Sequence, residues 1–289
     1  MRMKLVSSSP YQKESQKKKR NILRKRIFIF VVLFLVVFAT LAFLSHSNRL
    51  NIKAIEVSGN VVTDSRVIED TVSKEITGSY LWFFPKANFL IYPKNDIENK
   101  LANEFKILKD ISVSLKGVNT LAVNYTEREG KYTWCGDILP LSLDTTEKCY
   151  FMDDGGYVFG EAPYFSGDVY LKFYGEEKKD SDTMLGSYYF PDVFQKLLSF
   201  RNAVKDIGIK TSSFYVRPDG VVELYLSSNI PFPDKPKIVF KSDSDVDKIT
   251  ENLQTALSTE PLQTNFNKKF SSLVYIDLRY GNKVYYKFK

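Results

Sequence analysis

The sequence predicts an α+β protein carried on one N-terminal membrane-spanning helix. Three observations carry this expectation. Residues Ile27–Leu44 form an uncharged apolar run, a β-α-α-β-β order follows within about 75 residues, and the chain from residue 130 onward is mostly strand-like.

At roughly 1.5 Å per residue, a helix over Ile27–Leu44 nearly crosses a hydrocarbon core, and Ser45–Ser47 can extend it. The preceding residues 1–26 hold ten Lys/Arg, Lys17–Arg20 and Arg24–Arg26 among them, against the single acid Glu14. Positive flanks stay on the cytoplasmic side, so residues 1–26 read as a basic cytoplasmic tail and the body as extracytoplasmic. A cleaved signal peptide is the competing reading, with Ser45-His46-Ser47 as its cleavage site. The apolar run exceeds the usual core of about 7–15 residues, which argues for a retained anchor over 27–46. The chain's net charge of +7 comes from 41 basic and 34 acidic residues. Outside the tail the counts are 31 and 33, a net of −2, so the basicity belongs to the tail and argues against a nucleic-acid-binding body. With 44% hydrophobic and 15% aromatic residues, the body can bury a core.

Ile52–Gly59 alternates as a strand. Thr63/Asp64 then offers a cap ahead of Val67, Ile68, Val72 and Ile76 at helical spacing, closed by Gly78. An aromatic loop with Pro85 and Pro93 leads to a second helix, capped at Asn95, with Ile97, Leu101 and Phe105 on one face. Two strands follow, Ile107–Leu115 and Thr120–Thr126, around the turn Lys116–Asn119. These elements define a first domain over 50–127. The second, 128–289, has turn signals at Asp153–Gly156, Arg217–Gly220 and Gly281-Asn282. Two helices interrupt its strands. Pro191–Asp206 carries a stripe of Val193, Leu197, Phe200 and Val204, and Asp245–Leu257 carries Val246, Ile249, Leu253 and Leu257. Residues 174–187 read as an exposed loop. Cys135 and Cys149 flank a turn-rich loop beyond the anchor, where an oxidising compartment allows a bridge and a reducing one leaves two thiols.

The arrangement resembles the bacterial cell-division proteins FtsQ/DivIB. The residues that carry the resemblance are Ile55-Glu-Val-Ser-Gly-Asn60, Thr120-Leu-Ala-Val-Asn-Tyr-Thr-Glu-Arg128, Trp134, Phe151-Met-Asp-Asp-Gly-Gly-Tyr-Val-Phe159 and Tyr275-Ile-Asp-Leu-Arg-Tyr280. Their order and spacing are similar to that family from the anchor to the end of the chain. The stretches Cys135–Cys149 and 174–187 stand as insertions against it. The resemblance implies a bitopic protein with a POTRA domain at 50–127 and a mostly antiparallel β domain at 128–289. It also implies a non-enzymatic role in the division septum of the cell membrane.

Enzyme chemistry finds little support in the residues. The one histidine, His46, lies at the membrane end of the body, so Ser-His, Cys-His and His-metal sites are not expected. Asp153-Asp154 followed by two glycines reads as a turn rather than a carboxylate pair, and Asp243, Asp245 and Asp247 read as a solvated helix start. No cofactor, metal or small-molecule substrate is expected. An envelope enzyme or sensor with a ligand cleft in the second domain is the alternative.

The segments Ser272–Tyr280 and Val284–Phe288 form a hairpin. A three-residue loop, Gly281–Lys283, pairs Tyr280 with Val284, Leu278 with Tyr286, Ile276 with Phe288, Arg279 with Tyr285 and Asp277 with Lys287. Gly281-Asn282 also suits a two-residue turn. If the last strand ends its sheet, Lys283, Lys287 and Lys289 protect the edge or receive an acidic strand. The resemblance implies the second use, with a strand added from a bitopic coiled-coil partner of FtsB/DivIC type, accompanied by an FtsL-type protein. Arg279 and Tyr280 match family contact positions, and strand geometry extends the expected site to Lys283, Tyr285 and Tyr286.

Overall fold

A computed structural model describes residues 10–59, 62–140, 147–165, 167–175, 184–232 and 234–289. The backbone is helical from Pro10 to Ser45 (α1), 36 residues in one piece, so the helix begins well inside the basic segment rather than at Ile27. Within it, Arg20–Ser45 is long and apolar enough to cross a membrane, and the apolar window is unburied. Beyond α1 the architecture is α+β. The chain divides into two compact units: the described residues up to Leu101 with Ile111–Tyr125, and Ala102–Asp110 with the described residues from Thr126.

Strand β1 (Ala54–Ser58) is followed by α2 (Ser65–Ile76), a small hairpin β2 (Ser79–Tyr80) and β3 (Phe84–Pro85), α3 (Lys94–Glu104), β4 (Leu108–Lys116) and β5 (Thr120–Glu127). The sheet order is β1-β5-β4, with β1 parallel to β5 and Ile55 opposite Leu121. Parallel neighbours need a crossover, and the helices supply it. Asp64 caps α2 by accepting the Arg66 amide, and Ile68, Val72 and Ile76 are buried, whereas Val67 faces out. Helix α3 starts one residue before the expected cap Asn95, directly after Pro93. Gly59 has φ +105°, and a Cβ there would lie 1.8 Å from the Tyr125 carbonyl oxygen. The backbone crossing at this point therefore requires glycine. The neighbouring Asn60 lies outside the described residues.

The second unit contains β6 (Tyr132–Trp134), β7 (Cys149–Met152), β8 (Val158–Ala162), β9 (Leu171–Tyr174), α4 (Pro191–Asp206), β10 (Thr211–Val216), β11 (Val221–Leu226) and β12 (Lys237–Lys241). It continues through α5 (Val246–Leu257), α6 (Leu262–Lys269), β13 (Leu273–Tyr280) and β14 (Lys283–Phe288). The strands form one nine-stranded sheet, β14-β13-β12-β11-β10-β9-β6-β7-β8. Most pairings are antiparallel. The exceptions are β6–β9, β9–β10 and β12–β13, which are parallel. Helix α4 crosses between β9 and β10, and α5 with α6 crosses between β12 and β13, so α6 adds a third helix to the two expected.

The helices bury their stripes against one core. Phe194, Leu197, Phe200 and Val204 of α4 and Ile249 and Leu253 of α5 pack with Phe173, Phe214, Leu224, Ile238 and Ile276. Phe173 stacks on Phe214 at 5.4 Å between ring centroids and lies 5.3 Å from both Tyr189 and Phe194. The expectation of an exposed 174–187 loop fails at both ends. Tyr174 is buried with its ring 6.0 Å from Phe232, and Met184 is buried in the core; residues 176–183 lie outside the described set. Asp153–Gly156 forms the β7–β8 turn. Asp153 accepts the Gly155 and Tyr157 amides and pairs with Arg128, whose guanidinium lies 3.9 Å from the Tyr157 ring. Asp245 caps α5 by accepting the Asp247 and Lys248 amides.

Cys135 and Cys149 are joined in a disulfide across 14 positions. Loop closure of this length contributes about 3 kcal/mol. A Cys135→Ser/Cys149→Ser double variant is therefore expected to lose about that much in urea unfolding, and reduction of the parent chain should reproduce the loss. For Gly59→Ala, strain at a positive φ and the clash with Tyr125 predict a loss on the order of 3 kcal/mol in the first unit, read by hydrogen exchange of β1 and β5.

Candidate functional site

Two strands end the large sheet. At the start of β8 the chain covers its own edge: the Gly186 amide donates to the Val158 carbonyl at 2.7 Å, and the Val158 amide donates to the Ser187 carbonyl at 2.9 Å. At the other end β14 pairs with β13 alone among the described residues. Alternate N–H and C=O groups of an edge strand point away from its neighbour, so β14 presents an open ladder.

The hairpin register differs from the expected three-residue loop. Tyr280 lies opposite Lys283 around the two-residue turn Gly281-Asn282, and Gly281 has φ +66°. A bulge between Asp277 and Tyr280 then shifts the pairing, which places Asp277 opposite Tyr285 and Ile276 opposite Tyr286. The bulge resolves a conflict between two demands. Gly-Asn favours the tight turn, while Ile276, Leu278, Val284, Tyr286 and Phe288 must all reach the core.

This geometry sorts the expected site residues. Tyr280 and Tyr285 remain 56% and 49% exposed and meet edge to face at 5.2 Å. Arg279 lies over Tyr280 at 5.6 Å, and Lys283 is exposed on the same strand as Tyr285. Tyr286 is not brought to this group; it packs against the core with Val284 and Phe288. The Arg279 guanidinium is already engaged, donating through Nε to both Asp277 oxygens at 2.9 and 3.1 Å and through Nη2 at 2.6 Å. That hydrogen bonding raises the arginine further above its ordinary value.

Residues distant in sequence complete the face. The register aligns Glu223, Val239, Asp277 and Tyr285 in one cross-strand row and Tyr225, Lys237, Tyr275 and Lys287 in the next. Glu223 accepts from Lys237 at 2.9 Å and lies 3.8 Å from Arg217. Arg217, Glu223, Lys237, Tyr275, Asp277 and Tyr285 help to line a shallow concavity of ≈ 610 Å³ beside the edge. A second groove of ≈ 250 Å³ flanks β14 on its other side, between Ala256 and Leu262 of the helices and Val284 and Tyr286. Sequence reading missed Glu223 and Lys237 because nothing local to β11 or β12 marks them as neighbours of residue 285.

A separate cleft of ≈ 370 Å³ opens between Glu147, Lys172, Tyr174, Ser213, Ser228 and Lys235. Lys172 pairs with Glu147 at 2.8 Å, and burial lowers the Lys235 amine below its ordinary value while Asp168 opposes that shift. Among the described residues the Ser213 and Ser228 hydroxyls, both lining this cleft, have no hydrogen-bond partner. Glu147 also lies beside the sulfurs of Cys135 and Cys149, but the disulfide removes the thiolates that a metal would need.

The fold and this edge define an α+β protein with one apolar N-terminal helix and an open-ended, mostly antiparallel sheet. No protein-family model matches the chain, and a search of curated proteins finds no match.

Asp277 has only 8% of its side chain exposed, and its charged hydrogen bonds hold Arg279 in place. Asp277→Ala is expected to cost about 1–3 kcal/mol in urea unfolding, with Asp277→Asn losing less because one acceptor remains.

Proposed function

We propose that this protein is a membrane-anchored, non-enzymatic scaffold of the bacterial division septum, similar to the FtsQ/DivIB proteins. In this reading α1 crosses the cell membrane through Ile27–Leu44, with its basic flank in the cytoplasm and both units outside it. The first unit is a POTRA-like domain, and the β edge receives a strand from a bitopic coiled-coil protein of FtsB/DivIC type, accompanied by an FtsL-type protein. No nucleic acid and no cofactor take part.

The observation that carries the reading is the open ladder of β14 beside a bare aromatic pair, Tyr280 and Tyr285. Strand addition draws affinity from main-chain hydrogen bonds and specificity from the flanking side chains. Here Tyr285 and Tyr280 supply apolar area, while Lys283 and Lys287 favour an acidic strand. Arg279 contributes less as a free charge, because Asp277 already holds it. The order β1-α2-α3-β4-β5, interrupted only by the small β2–β3 hairpin, and the close approach of Gly59 to Tyr125 support the POTRA assignment.

One specific observation favours a second reading, an envelope sensor. Lys172, Lys235, Ser213 and Ser228 give the 370 Å³ cleft a polar lining suited to a polar ligand, and the buried hydroxyls of the two serines have no partner among the described residues. Ligand-dependent stabilisation that disappears in a Ser213→Ala/Lys235→Ala variant would favour it.

Removing β14 outright is a poor test, since Val284, Tyr286 and Phe288 pack on the core. Outward substitutions avoid that problem. Tyr285→Ala is expected to weaken partner capture from native membranes about tenfold, as for an aromatic residue contributing more than about 1 kcal/mol to binding. Lys283→Glu/Lys287→Glu is expected to slow association, with a difference that shrinks as salt rises. Unfolding midpoints near those of the parent chain establish that the variants fold. Unchanged recovery of small single-pass coiled-coil proteins with both variants overturns the edge reading.

A further inference from the structure

Outside α1, three exposed apolar residues of the first unit sit together at the tip of one hairpin. Between β2 and β3, Leu81 and Trp82 are 76% and 92% exposed, and Phe83 is 52% exposed. Leu90 follows at 72% and Ile91 at 41% in the segment that continues from the hairpin. Leu81 and Trp82 both have positive φ, 48° and 71°, where glycine or asparagine is the ordinary choice. A tight turn has been built from two bulky residues in an unfavourable conformation, and in water it would hold their apolar surface in solvent. Such strain marks positions where the side chain itself is needed.

The location of the hairpin says what covers it. Phe38 of α1 meets Phe83 at 5.6 Å and Phe84 at 5.4 Å, both edge to face. Phe38 lies six residues before Leu44, so this contact is roughly 9 Å below the end of the apolar run at 1.5 Å per residue. The same segment is tied to the end of the helix. The Asn88 amide donates to the Ser45 carbonyl at 3.2 Å and to its hydroxyl at 3.1 Å. The Phe89 amide donates to the Leu50 carbonyl and the Ile52 amide to the Ala87 carbonyl, at 2.9 and 2.8 Å. The hairpin is thereby fixed against the helix at a depth where a spanning helix is surrounded by lipid. Lys86, directly after β3, stands 5.8 Å from the Tyr80 ring, a cation and an aromatic suited to the headgroup level.

We propose that the Leu81–Phe83 tip inserts into the outer-leaflet interface beside α1, so that the bilayer itself is the ligand of this hairpin. The proposal rests on the reading that α1 spans a membrane. Burial of about 5–10 Å at the headgroup–acyl boundary is the usual depth of interfacial apolar elements, and the Phe38 contact lies within that range. A domain held at two points, the helix and the hairpin, has a defined orientation on the membrane. One held by a flexible tether does not.

Tryptophan fluorescence tests this, because the chain has two tryptophans and Trp134 lies in the second unit, donating to the Gly175 carbonyl at 3.0 Å. The full chain and its Trp82→Phe variant are reconstituted in lipid nanodiscs, and the difference between their spectra is the Trp82 signal. The expected result is blue-shifted emission, lost to lipids brominated on the upper acyl chain and insensitive to aqueous iodide. Iodide quenching without bromine quenching overturns the proposal, as does a blue shift that depends on protein concentration and not on brominated lipid, which would assign a second copy as the occupant. Alkaline carbonate extraction of native membranes separates the two failures. A chain that stays in the pellet retains the spanning reading whatever Trp82 reports, and a chain that is released ends both.

Discussion

The large sheet buries one whole face against its helices. Of its three parallel junctions, β9–β10 and β12–β13 are crossed by helices, α4 at the first and α5 with α6 at the second. The aromatic cluster of Phe173, Tyr189, Phe194 and Phe214 fills the space beneath those crossovers. Everything else in the second unit follows from keeping this layer dry. Met184 is drawn into it after a polar segment, and β14 must turn Val284, Tyr286 and Phe288 toward it. With the period of a strand fixed at two, Lys283, Tyr285 and Lys287 are left to face away.

The two sheet edges are treated differently. Near β8 the chain folds back through Met184–Tyr188 and occupies the backbone groups of Val158. At β14 no strand of the described chain does the same, and the protection is by charge, with three lysines among the final seven residues. Charge protects against self-pairing while leaving the ladder available to a strand of opposite sign. This combination underlies the scaffold proposal. The Asp277–Arg279 fork holds the arginine in place beside this edge.

In the first unit the corresponding economy lies around Asn88. One buried side chain joins the end of α1 to the loop that carries the aromatic hairpin, and its own oxygen accepts the Leu90 amide at 3.0 Å. Helix, linker and hairpin thus share a small hydrogen-bond network. Polar groups buried in that way set geometry more than they add stability.

Much of this was legible in the residues. The apolar run Ile27–Leu44, the helix Pro191–Asp206 and the alternation of Leu121, Val123 and Tyr125 are local patterns, and local patterns report which face of an element seeks burial. The outward side of β14 was readable for the same reason. What the residues could not specify is which elements become neighbours. The bulge near Leu278 arises from competition between a local turn preference and a distant core. The row from Glu223 to Tyr285 exists only once β11, β12, β13 and β14 lie side by side. Phe83 and Phe84 looked like ordinary members of an aromatic loop until their ring contacts placed them beside Phe38 of the helix. Sequence alone determined the periodicity and the apolar budget of each element. Pairing and register were decided by tertiary structure, because those quantities depend on contacts between residues that no local pattern connects.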